Sequence, residues 1–369
     1  ANGFVELSFL KHFKFKSAVN ARLNYYSFKQ YVPSTIAGVN APPPRDASSS
    51  NDANRTINLS ADQLLTYANH FGEHRLDVLL GYSAQEETFK GLSGSGSQFP
   101  DDLTPFLSAA TLKSSTSSEN GWSLLAYFTR INYSYKGRYL FSGTFRREGS
   151  SRFGLNNRYG NFPALSVGWR ISDESFMSDI SWLNDLKLRA SWGETGNNNI
   201  GNYSSLSFLN PSNYILGDQF ASGVIISSFA NSKLGWEKSS QLDIGLDLST
   251  LDGKLTFTAD YYRKLTSDML LSIQLPAISG FTSSLGNVGK VQNTGLEFAL
   301  GYRTNIRAVN LWGNFNISFN RNKVLAIRGE NDELWTGDLY SNYNVSKVGR
   351  PIGMIYGFRT LGIFQNEEE

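Results

Sequence analysis

Between Leu296 and Tyr302 every second residue is apolar. Leu296, Phe298, Leu300 and Tyr302 alternate with Glu297, Ala299 and Gly301. A period of two puts the first set on one face of a β-strand and the second set on the other. Just upstream, Gly286-Asn287-Val288-Gly289 tolerates positive φ and marks a loop exit. The same signature recurs along the chain. Residues 4–11 and 17–31 form a first predicted hairpin, with Val19, Ala21, Leu23 and Tyr25 opposite Asn20, Arg22 and Asn24 in phase. Strands at 55–69 and 75–89 flank a tight turn at 70–74. Residues 122–135 carry Leu125, Tyr127, Thr129, Ile131, Tyr133 and Tyr135 on one face. The two-residue turn Lys136-Gly137 returns the chain through Tyr139, Phe141, Gly143 and Phe145. Further strands are predicted at 161–172, around Leu186–Trp192, at 236–250, 254–270 and 309–321, and over the apolar run Pro351–Phe364. The total is about a dozen strands of about 10–15 residues, against about 5–6 in soluble sheets.

The connections alternate between short and long. Tight turns are predicted at 70–74, 251–253 and 305–308. Loops are predicted at 32–54, 91–120, 147–160, 195–235 and 271–287, and around Trp335, Tyr340 and Tyr343, with a medium connection at 173–184. Such alternation is what an outer-membrane up-and-down barrel requires, with short periplasmic turns and longer extracellular loops. A soluble sandwich does not require it. The polar strand faces agree, because Lys187, Arg189, Asp243, Asp247, Asn314 and Asn316 would be costly in a dry core. Tyr133, Tyr135 and Tyr139 beside a tight turn resemble an interfacial aromatic girdle. The expected fold is therefore all-β, an antiparallel up-and-down transmembrane β-barrel with its apolar face toward lipid.

Composition narrows the function. Lys plus Arg number 34 against 32 for Asp plus Glu, which gives no clustered basic excess for nucleic acid. There is no cysteine, so disulfide frameworks and thiolate metal sites are excluded. No apolar window is long enough for a transmembrane helix. The chain opens on Ala1 and closes on Glu367-Glu368-Glu369, and both ends read as cut rather than native.

Candidate chemistry is sparse. His70-Phe71-Gly72-Glu73-His74 has the spacing of one metalloprotease motif, but that chemistry needs both histidines on one helical face and this stretch is a strand turn. Gly91–Gly96 has no following helix to hold a phosphate. Arg146, Arg147 and Arg152 read as a solvated or lipopolysaccharide-facing loop edge. No nucleophile–base pair stands out. The expectation is a non-enzymatic chain with no cofactor and no metal. The most plausible ligand contacts are aromatic loop residues set among amides and carboxylates, which suit sugar rings or peptides: Trp335, Tyr340, Tyr343 and Tyr214, with Phe220 beside them.

Several runs carry a family likeness. These are Asn287–Glu297 (NVGKVQNTGLE), Phe141–Phe153 (FSGTFRREGSSRF), Tyr159–Arg170 (YGNFPALSVGWR), Leu188–Asn198 (LRASWGETGNN) and Gly349–Phe364 (GRPIGMIYGFRTLGIF). In this order they resemble the SusC/RagA family of TonB-dependent outer-membrane transporters. The resemblance implies a barrel of about 22 strands closed around an N-terminal plug, which takes up glycan or peptide fragments using TonB, so the about 12 strands predicted here would be a partial barrel. It also implies a SusD-like lipoprotein as an extracellular lid. On this reading residues 1–369 are a segment of the barrel domain, with the plug and the C-terminal strands lying outside it. A passive porin or adhesin, or a soluble β-rich carbohydrate-binding protein, stands as the alternative.

Overall fold

The protein is described here by a computed structural model that covers residues 1–36, 42–327, 333–338 and 341–357, together with Arg359 and Gly362. The strands run β1 (Asn2–Phe9), β2 (Phe13–Val32), β3 (Ser48–Phe71), β4 (His74–Ser97), β5 (Leu112–Tyr135), β6 (Tyr139–Ser150), β7 (Tyr159–Arg170) and β8 (Leu183–Asn197). They continue with β9 (Leu209–Leu216), β10 (Gln219–Ile226), β11 (Glu237–Thr250), β12 (Leu255–Ser267), β13 (Leu270–Gln274), β14 (Ser283–Asn287), β15 (Lys290–Ile306) and β16 (Val309–Ala326). The last three are β17 (Glu333–Asp338), β18 (Ser341–Lys347) and β19 (Met354–Ile355). Twelve of them share one sheet in the order β1-β2-β3-β4-β5-β6-β7-β8-β11-β12-β15-β16. Neighbours in sequence are neighbours in space, which is the meander expected of an up-and-down barrel domain. The pairs β9–β10 and β13–β14, and the three-stranded set β17-β18-β19, stand outside it.

Three expectations change. β3 begins at Ser48, inside the predicted 32–54 loop. β4 runs to Ser97 and β5 starts at Leu112, so the predicted 91–120 loop contracts to 98–111. The predicted loops at 195–235 and 271–287, and the aromatic loop beyond Ile327, each contain a hairpin. The first two share a reason, and the hairpins lie outside the main sheet, where no neighbouring strand announces them. Serine- and glycine-rich strand ends bury little apolar surface, so they carry no period-two signal, yet their backbone is satisfied in the ladder. Strand preference measures packing on a pleated surface more than any intrinsic backbone bias. Of the final predicted run Pro351–Phe364, Met354–Ile355 pairs with β18 and part of the remainder lies outside the described residues.

By compactness the chain divides into two units. The first comprises residues 1–66, 80–127 and 148–151. One sheet face in it is polar and self-bonded. Ser93 Oγ donates to Asp52 (2.5 Å), Ser83 Oγ to Asp62 (2.6 Å), Asn58 Nδ2 to Glu87 (3.0 Å) and Trp122 Nε1 to Glu87 (3.0 Å). The 98–111 connection is pinned to the end of β2 through Asp102. Its carboxylate accepts the Ser34 backbone N–H (2.9 Å), the Ser34 hydroxyl (2.7 Å) and Tyr31 Oη (3.1 Å). These donors hold the Asp102 carboxyl below the usual carboxylate range, the Ser34 backbone N–H contributing most.

The second unit comprises residues 67–79, 128–147 and 152–369. Its register aligns apolar residues in rows. Trp169, Leu188 and Leu246 continue through Ala259, Phe298 and Ile317. Val167, Ala190 and Ile244 continue through Tyr261, Leu296 and Phe319. Most of these large side chains are exposed, with Leu246 and Phe298 partly covered, as on a face that meets lipid rather than a core. At the short-turn end Tyr135 and Tyr139 stack at 6.2 Å and His74 Nδ1 meets Tyr133 Oη at 2.7 Å, which forms the expected aromatic cluster. His70 and His74 stand on separate strands across the Gly72-Glu73 turn.

Candidate functional site

The polar face of the second unit carries a charge network built by register. Lys187 lies opposite Asp247 and Arg189 opposite Gly245, whose next partner is Asp260. Gly245 leaves room for the guanidinium, since a Cβ there would sit 2.4 Å from Arg189 Cζ. Arg189 therefore reaches both neighbours, with Nε to Asp247 at 3.2 Å and Nη2 to Asp260 at 2.6 Å. Lys187 Nζ adds a contact to Asp247 at 3.8 Å, and Gln241 Nε2 donates to Asp243 at 2.8 Å. A cavity of about 540 Å³ opens on these groups, lined by Asp77, Asn132, Ser142, Lys187, Arg189 and Asp243 among others. Its surface is polar and charged, yet Lys187, Arg189 and Asp77 are already ion-paired and Asp243 accepts hydrogen bonds from Gln241 and Ser191. Such a surface suits polar contact without fixing one tightly bound ion.

At the other end of the strands, four of the five family-like runs contribute to a packed collar. Trp236 is buried between Phe153 (5.1 Å) and Phe162 (5.2 Å), and its Nε1 donates to the Arg158 carbonyl at 2.8 Å. Phe162 lies over Gly160 and Gly196, where any Cβ would fall within 2.4 Å of the ring. Leu234 is fully buried beside them in sequence. Asn287 then ties this collar to the loop exit. Its Oδ1 accepts the Gly235 N–H (2.8 Å), while its Nδ2 donates to the Gly235 carbonyl (2.8 Å) and to the Asp268 carbonyl (3.0 Å). Gly289 takes φ 96°, as its place in the exit requires. Asn287 thus makes Ser284–Arg303 a structural junction, its side-chain amide holding backbone on both sides.

The sequence-predicted contact residues fall on separate hairpins. Tyr214 is on β9, half-exposed, with its ring packed over Gly223 of β10. Trp335 is on β17 and meets Tyr356 edge-on at 5.0 Å. Tyr343 is on β18, and Tyr340 lies outside the described residues. Phe220 is 83% exposed on β10, alongside exposed Leu209, Ile215, Leu216, Val224 and Ile226. Tyr214 and Phe220 were singled out from sequence, but the paired apolar hairpin they sit on was not, and the polar-face residues were identified without the ion pairs that join them. The hairpin was hidden in a stretch read as loop, and the network needs cross-strand register to be seen.

Long strands in a meander, apolar rows facing out, a charged inner wall and an aromatic girdle define a transmembrane β-barrel domain of the outer-membrane kind. The sequence profile of the family described as "TonB dependent receptor-like, beta-barrel" matches residues 4–356, and the chain belongs to that family. It is 32% identical to TonB-dependent receptor P3 of Formosa agariphila over 99% of this chain and 37% of the relative. It is 35% identical to TonB-dependent receptor SusC of Bacteroides thetaiotaomicron over 79% of this chain and 30% of the relative. Among solved structures it matches that of the RagAB peptide transporter, with a TM-score of 0.85 and 26% identity over 95% of this chain and 38% of that chain. The chain spans about a third of the length of these relatives. Its place is the outer membrane. The short turns at 72–73, 136–138, 251–254 and 307–308 then lie at the periplasmic end, and the collar and extra hairpins at the extracellular end.

Proposed function

We propose that this chain is the central barrel wall of a TonB-dependent importer of peptide or oligosaccharide fragments, non-enzymatic and working with a SusD-like lipoprotein lid. The observation that carries this reading is the agreement of fold with the RagAB peptide transporter across 95% of the chain. The charged polar face supports it as lumen lining against which a plug, outside residues 1–369, would move. Exposed Leu209, Ile215, Leu216 and Phe220 support β9–β10 as the surface that meets the lid, since such a patch in water marks an interaction site. Trp335 and Tyr214 are proposed cargo contacts on the loops, with Tyr340 and Tyr343 beside Trp335 in sequence.

Uptake by cells carrying the intact receptor tests this. Labelled peptide and oligosaccharide pools are offered with and without a protonophore. Import should saturate and should stop when the proton-motive force collapses. Uptake that survives the protonophore identifies a passive porin and overturns the reading. Trp335→Ala with Tyr214→Ala should lower uptake at unchanged receptor level in the membrane.

A further inference from the structure

The lipid-facing side of β12, β15 and β16 carries three cations in two neighbouring rows. Arg263 is paired with Thr294 and Thr294 with Arg321, so the two arginines flank that threonine in one row. The next row places Gln292 opposite Lys323. Two strand spacings separate the arginines, about 9.5 Å, which is well within reach of converging side chains. Arg263 leans toward the third cation, with Nε and Nη2 donating to Gln292 Oε1 at 3.2 and 2.9 Å. All three cations are exposed. Among the described residues no carboxylate lies within ion-pair distance of any of them. Asp260 and Glu297, paired three residues along from Arg263 and Thr294, are on the opposite face, and Glu194 shares the face and row of Lys323 but stands four strands away on β8. Like charges grouped on a sheet are destabilising unless an anion joins them.

The face directly below is a hydrocarbon surface. Leu296 is the floor between Tyr261 and Phe319, which share its row, and these residues with Thr294 and Arg321 line a groove of about 650 Å³. The cations sit on the long-loop side of that row, at the extracellular border of the apolar band. Cations set above an apolar groove, at the depth where headgroups meet acyl chains, match a phosphate on a membrane lipid. We infer that Arg263, Arg321 and Lys323 form a site for the phosphate of an outer-leaflet lipid whose acyl chain lies in the Tyr261–Leu296–Phe319 groove.

The test uses the full-length receptor, purified in detergent and titrated in native mass spectrometry with phosphorylated lipid A, dephosphorylated lipid A, phosphatidylglycerol and inorganic phosphate. A phosphorylated lipid should be retained over its dephosphorylated form, and the ratio of lipid A to phosphatidylglycerol identifies the source. Binding should weaken about fivefold for each cation removed in R263Q, R321Q and K323Q. Arg321→Lys should keep most of it, and Phe319→Ala should weaken both lipids while leaving the charge in place. Heat-modifiable gel migration confirms that each variant is a folded barrel. Equal lipid retention by the folded triple variant overturns the site. Inorganic phosphate binding as tightly as lipid also overturns it, because the groove would then contribute nothing.

Discussion

Asn287 makes three backbone hydrogen bonds with one amide, two of them reciprocal with Gly235. Asn287→Ala removes these hydrogen bonds, two part-buried and one exposed, at about 0.5–1.5 kcal/mol. The expected result is a lower melting temperature of the intact receptor, with uptake per folded molecule retained. Cargo uptake lost at full stability would show that this side chain touches substrate instead. Glu174, in the periplasmic connection 171–182, is a second single-residue anchor. Its carboxylate accepts Tyr139 Oη (2.6 Å), Trp169 Nε1 (3.0 Å) and Arg138 Nη1 (3.2 Å). The Tyr139 hydrogen bond leads the causes that hold this carboxyl below the ordinary glutamate value. A folded-state pKa below the unfolded one contributes stability that is complete above the unfolded value. That stability is lost as pH falls through the folded value. Melting of wild type and Glu174→Gln, followed from neutral pH into the acid range, should differ most at neutral pH and converge below the carboxylate range. A gap that widens on acidification would contradict the assigned direction.

The Lys187–Arg189–Asp243–Asp247–Asp260 network is a property of three strands in register, and Gly245 makes room for it. Arg189→Ala leaves Asp247 and Asp260 facing each other across a partly exposed wall. A loss of about 1–2 kcal/mol follows, discounted because solvent still screens these groups. Arg189→Ala with Asp260→Asn should recover part of that loss, and a double-mutant cycle on thermal unfolding would measure the coupling. Additive effects would remove the claim of a shared network. The same scale explains what sequence reveals. The twelve long strands were legible because lipid on one face and water on the other impose a strict period of two, as at Leu296–Tyr302. The ends of β3, β4 and β5 were not, because Ser48–Ser50, Gly91–Ser97 and Ser114–Ser118 present small side chains to both faces. The Arg189 network was half legible. Its residues were identified as polar and inward-facing, but the partner of each depends on which strands are adjacent and in what register. The β9–β10 hairpin was hidden because β8 pairs with β11, and nothing local to Asn197–Glu237 says that the chain leaves the sheet and returns.

For the molecule as a whole, the decisive property is which face meets lipid, and adjacent residues of one strand can test it. Leu300 lies in the outer row with Phe257 and Phe315, whereas Ala299 lies in the polar row with Thr258 and Asn316. An arginine at position 300 must lose its hydration or drag water into the hydrocarbon. Near the middle of the membrane this costs about 2–4 kcal/mol. An arginine at position 299 points into the wet interior, near the acids of the neighbouring row, and should cost less than about 1 kcal/mol. Folding of the two full-length variants into lipid vesicles, titrated with denaturant, gives both numbers. Leu300→Arg should unfold at markedly lower denaturant and Ala299→Arg near wild type. The opposite order would invert the sheet, turning the apolar rows into a core and the charge network into the outer surface. Equal effects would mean that neither face meets hydrocarbon, and that the alternation from Val19 to Phe319 serves some other architecture. Because positions 299 and 300 share one backbone and one depth, propensity and local packing largely cancel in the comparison. What remains is the solvent each face sees.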